Sequence, residues 1–126
     1  MNKLCLNSRD DVLIIELTQV AFFQANGNYT TVYYIGGQKQ MLGLGLTKLE
    51  GFLSKAYPKD VPSSFIRMGR SLIINQTYLY SINTLKQRLT LSDYQGHIYS
   101  LCVPKQILKK YKEVISNKHD NENDKI

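Results

Sequence analysis

The chain has 126 residues, a size that suits one domain, and 43% of them are hydrophobic against 21% charged, a balance that builds a core and excludes a disordered polymer. No run approaches the roughly 18 uninterrupted apolar residues of a membrane span, and the stretch from Met1 to Asp10 holds Lys3, Arg9 and Asp10 with no apolar core of a signal peptide. A cytoplasmic protein with no membrane partner is therefore expected. The net charge is +6, and the segment from Lys118 to Ile126 holds two lysines and three acids, so the body is more basic than the whole. A basic body favours a polyanion without naming one.

Residues 1–10 read as a lead-in. Asp11 to Leu17 is β-branched and apolar and too short for a helix, which predicts a buried strand. Val20 to Ala25 is a second strand, and Asn26-Gly27-Asn28 a hairpin turn, because Asn and Gly accept positive φ. Tyr29 to Ile35 is strand-like throughout, Gly36-Gly37 turns the chain, and Lys39 to Leu44 returns. The period then changes. Leu46, Leu49, Phe52, Leu53, Ala56 and Tyr57 share a helical face, and Thr47 with Glu50 has capping-box spacing, predicting a helix from near Thr47 that Pro58 and Pro62 end.

Five short strands follow, at Phe65–Met68, Ser71–Ile74, Tyr78–Asn83, Leu89–Ser92 and His97–Val103, the last two joined by a turn at 93–96. Pro104 suits the start of a helix carrying Ile107, Leu108, Tyr111 and Ile115 on one stripe, with Lys105, Lys109 and Lys112 mostly off it. A domain over residues 11–115 and a frayed tail over 116–126 are expected. The fold class is mainly β, with short antiparallel sheets, one internal helix and a short C-terminal helix.

Catalytic chemistry finds little support. Gly43-Leu44-Gly45 lacks the third glycine of a phosphate loop, and neither His97 nor His119 stands with a serine elbow. Cys5 and Cys102 form no Cys-x-x-Cys pair and have no histidine at ligand spacing, so they read as buried small hydrophobes rather than zinc ligands or a disulfide. No enzyme, metal or cofactor is expected.

One segment combines strand pattern with charge: Phe65-Ile-Arg-Met-Gly-Arg-Ser-Leu-Ile-Ile-Asn75. Arg67 and Arg70 would face opposite sides of a regular strand, and a break at Gly69 could turn both to one side. A guanidinium fork matches phosphate oxygens or a guanine edge, but two solvated surface arginines fit the same pattern.

This segment resembles the signature of LytTR domains, usually written F-x-R-x-H-R-S-x-I-V-N. The resemblance extends to the opening strands with Gly27-Asn28-Tyr29, to Leu46-Thr-Lys-Leu-Glu50 at the helix start, and to the strand from Tyr78 to Asn83. It implies a DNA-binding domain that reads successive major grooves through loops, usually at promoter direct repeats bound by two protomers, as the effector of a bacterial two-component regulator whose receiver or sensor lies in another domain or protein. Carried over by position, it implies contacts at or near Thr30 with Asn28 beside it, at Arg70, and at Lys105, with Arg67 and nearby lysines adding attraction to phosphate. Gly69 stands where the signature has histidine, and Pro104 where a basic residue is usual. These departures motivate the alternative of a protein-interaction module that has lost DNA specificity. Tyr29, Tyr33 and Tyr34 read as packing residues rather than stacking platforms for single strands.

Overall fold

The structure, a computed structural model, describes residues 3–57, 60 and 63–118. Ten strands and two helices follow in the order β1 Lys3–Asn7, β2 Val12–Glu16, β3 Val20–Asn26, β4 Tyr29–Tyr34, β5 Lys39–Leu42, α1 Leu46–Ala56, β6 Phe65–Arg67, β7 Leu72–Asn75, β8 Leu79–Asn83, β9 Arg88–Ser92, β10 Ile98–Cys102 and α2 Lys105–Lys118. They build three antiparallel sheets: β1-β2, β5-β4-β3-β7-β6 and β10-β9-β8.

The five-stranded sheet is the middle layer. Its central strand β3 buries four consecutive residues, Val20 to Phe23, which a strand with one wet face would not do. A bulge between Val20 and Phe22 assigns them to two cores. Val20 and Phe23 join Leu4, Ile15, Val32, Leu49, Leu53 and Phe65 under α1 and the β1-β2 hairpin. Ala21 and Phe22 join Ile74, Leu89, Leu91, Leu108 and Tyr111 under the three-stranded sheet and α2. Aromatic packing ties that second core: Phe22 stacks on Tyr33 at 4.4 Å and meets Tyr99 edge-on at 5.1 Å.

Asn75 fixes the exit of β7 from the middle sheet through polar contacts. Its side chain is 2% exposed, donates to the Val20 carbonyl at 2.9 Å and accepts from the Thr77 amide at 3.1 Å. Truncation to alanine strands both backbone groups, so Asn75→Ala is expected to cost about 1–3 kcal/mol in denaturant unfolding. A loss below a few tenths would mean that water replaces the amide.

Tyr111 on α2 is 6% exposed and donates to Gln76 Oε1 at 2.9 Å. Burial disfavours its phenolate and pushes its pKa up to about 12 from the ordinary 10.0. The folded value lies above the unfolded one, so this stabilising contribution is complete below pH 10 and is lost as pH rises towards 12. Tyrosinate absorbance should show one titration near 12 that Tyr111→Phe removes. An unchanged titration curve in the variant would contradict this burial.

Several expectations need correction. Residues 3–7 form a strand, pairing Lys3 with Glu16 through to Asn7 with Val12. The β2 segment is not a fully buried strand: it belongs to a two-stranded hairpin, which leaves Val12 55% and Ile14 59% exposed. Cys5 and Cys102 are exposed rather than buried, because each lies on the outward face of an edge strand. Helix α1 begins at Leu46 with Gly45 as its cap and no capping side chain, so Thr47 is already inside the helix and Glu50 turns elsewhere. The helix ends at Ala56, and Tyr57 after it takes φ −103° and ψ 143°, as expected for a residue preceding proline, while Pro58 and Pro62 lie outside the described residues. Helix α2 continues to Lys118, beyond the expected tail boundary, and residues 119–126 lie outside the description.

Candidate nucleic-acid interface

Strand register gathers the connecting loops. Asn26 pairs with Tyr29, Thr30 with Leu42, Gln24 with Leu72 and Arg67 with Ile73, so the β3-β4 turn, the β5-α1 loop and the β6-β7 loop share one end of the middle sheet. In the three-stranded sheet Asn83 and Cys102 both pair with Arg88, and the Val103 amide donates to the Gln87 carbonyl at 3.1 Å. The β8-β9 loop therefore lies beside the β10-α2 junction.

Two contacts bring the ends of the sheets together. A small groove is lined by Gln24, Met68, Ser71, Cys102 and Pro104. Gly69 has φ +81°, and a Cβ there would stand 2.7 Å from Ile107 Cδ1. Glycine lets the backbone turn left-handed and lets the first turn of α2 close on the loop. The side chain of Ile107 occupies the space that a larger residue at 69 would need.

The loop ends carry one sign of charge. Residues 26–29, 43–45, 68–71, 84–87 and 102–105 include Arg70, Lys86 and Lys105 and no acid. All three cations are exposed, as is Arg88 at the start of β9. Lys86 is held in place by its amide, which donates to Asn83 Oδ1 at 2.9 Å. Such an arrangement attracts phosphate along a broad front.

The five expected contact residues fare differently. Asn28 is exposed in the β3-β4 turn, where Gly27 takes φ +65°. Arg70 is exposed on the β6-β7 loop and makes no salt bridge among the described residues. Lys105 is exposed as the first residue of α2. These three are gathered at one end.

Thr30 must be withdrawn from the accessible set. It is 0% exposed, and its hydroxyl donates to the Leu44 carbonyl at 2.9 Å, tying β4 to the β5-α1 loop. Arg67 is also not a free contact. Its guanidinium turns inward, donating from Nε to the Gly69 carbonyl at 2.7 Å, from Nη2 to the Arg70 carbonyl at 2.9 Å and from Nη1 to Glu50 Oε1 at 2.8 Å. The break at Gly69 thus turns the two arginines to different tasks rather than to one side.

The sequence reading did not single out Lys86 and Arg88, which lie between two expected strands. A signal was present in the run Leu85-Lys86-Gln87-Arg88, which puts one cation in the turn and another at the start of the next strand, but only register places them beside α2.

No group of metal-ligating side chains gathers among the described residues, and no described helix is long and apolar enough to cross a membrane. What the described residues define is a layered β domain that presents loops and one helix start as a basic end. Residues 10–116 match the family model of the LytTr DNA-binding domain. The chain belongs to the LytTR family, a family of DNA-binding domains and not of enzymes. A solved LytTr DNA-binding domain from Bacillus cereus, from a protein described as a methyl-accepting/DNA response regulator, matches with a TM-score of 0.59 and 21% identity, covering 91% of this chain and 97% of that one. That likeness shows the fold. No curated protein sequence matches the chain.

Proposed function

We propose that this domain binds duplex DNA with sequence specificity as the effector of a cytoplasmic bacterial transcription regulator. Loops at one end enter successive major grooves. Asn28 and Arg70 supply base-edge contacts, and Lys105, Lys86 and Arg88 supply phosphate contacts. Two copies occupy direct repeats, and a receiver or sensor, in this protein or another, governs them. The single observation that carries this reading is the convergence of the β3-β4 turn, the β6-β7 loop and the start of α2 at an end whose loops hold cations and no acid.

Competition between duplex and single-stranded oligonucleotides of the same sequence tests it. Duplex should win, with affinity falling steeply as salt rises, since phosphate contacts release counterions. Preference for the single strand would replace this reading with a stacking mode. Weak, salt-insensitive binding to both would favour a protein-interaction module.

A further inference from the structure

We propose that Glu50 is a positioning residue for DNA recognition, acting through Arg67 to hold the β6-β7 loop in the shape that presents Arg70. This inference rests on the reading of Arg70 as a base-contacting side chain.

Two of the three acceptors on the Arg67 guanidinium, the carbonyls of Gly69 and Arg70, belong to the recognition loop itself. The third, Glu50 Oε1, belongs to α1, 17 residues away in sequence. The loop is short, closed by the Met68 amide on the Leu72 carbonyl at 2.7 Å, and it turns on a glycine at φ +81° that has no side chain to pin it. A guanidinium holds three acceptors in one fixed plane, which an ammonium cannot do. Glu50 orients that plane. The Arg67 and Glu50 side chains are 24% and 45% exposed, so the pair adds little to global stability. Its consequence is local, in the direction taken by Arg70.

Two effects oppose each other when Glu50 is removed. Loss of an acid near a basic end strengthens general attraction to DNA, whereas loss of the brace loosens the loop. If Arg67 were itself a DNA contact masked by Glu50, removal of Glu50 would release it and tighten binding to every duplex. A brace predicts the opposite on the preferred sequence.

The experiment measures the full chain on a duplex enriched from a random pool and on a scrambled duplex, with thermal melting of each variant as the check on folding. Glu50→Ala should lower affinity for the enriched duplex by about fivefold to tenfold, the scale of one ordinary net hydrogen bond in a half-exposed pair, while scrambled duplex binds as well or better. Glu50→Gln, whose amide oxygen still accepts from Nη1, should retain most of the preference. Arg67→Lys keeps the charge and should lose it. On an Arg70→Ala background, Glu50→Ala should add no further loss, since the brace then presents nothing.

Tighter binding of Glu50→Ala to both duplexes overturns the proposal, as does a full additional loss on the Arg70→Ala background. If Arg70→Ala leaves the preference intact, or no duplex is enriched at all, the recognition reading falls and this inference with it. An effect of Arg70→Ala without one of Glu50→Ala overturns the brace alone.

Discussion

Replacing Phe23 with alanine is expected to destabilise the domain by about 3–5 kcal/mol, the range for a fully buried aromatic truncated in a core. Phe23 is 0% exposed at the centre of the middle sheet, paired with Val32 on one side and Ile73 on the other. Its ring packs 5.5 Å from that of Phe65 and belongs to the cluster containing Leu49 and Leu53 of α1. Backbone on both flanks is locked in the ladder, so the site collapses poorly and the cavity persists. Since a domain of this size holds only about 5–15 kcal/mol in total, the variant should lose a large share of its margin. Denaturant unfolding measures this directly, with Ile14→Ala as the comparison, because Ile14 is 59% exposed and should cost far less. A loss near 1 kcal/mol would mean that the two cores repack around the gap.

The second large effect concerns binding. Arg70→Ala should weaken the preferred duplex by about 1–3 kcal/mol, the range for a good bidentate contact to guanine, and leave folding unchanged. The side chain is exposed and makes no salt bridge among the described residues, so no folded-state partner is lost. Among the described residues Arg70 is engaged through its backbone carbonyl, by Arg67, and alanine keeps that carbonyl. Equal weakening on preferred and scrambled duplexes would reduce Arg70 to a phosphate contact.

What sequence alone could show follows from how local each feature is. The successive hairpins of β3, β4 and β5, the helical stripes of α1 and α2 and the turn at Gly27 rest on neighbours within a few residues and appear as expected, whereas β2 leaves that run for a separate sheet. Features that depend on distant partners were hidden. Nothing in Lys3–Asn7 announces that it pairs with β2, and nothing in β2 says its partner leaves one face wet. The capping-box spacing of Thr47 and Glu50 is genuine, but Glu50 is taken by an arginine 17 residues downstream.

The candidate site divides along the same line. Resemblance supplies chain positions, not exposure, so it marked Thr30 although the β5-α1 loop covers it. It marked Arg67 with Arg70, although one braces the loop that displays the other. The closeness of Gly69 to Ile107 explains how the signature histidine can be absent without opening a gap beside α2. Substituting histidine at 69 alone would meet both a left-handed backbone and the Ile107 side chain.

Selection from a pool of random duplexes at two salt concentrations asks whether the loop end of this domain reads DNA sequence. If it does, a short motif repeated at one helical turn, roughly 10 base pairs, is enriched and persists at the higher salt. Retention that falls steeply with salt and enriches no motif would overturn sequence reading by these loops, leaving only electrostatic attraction to the basic end.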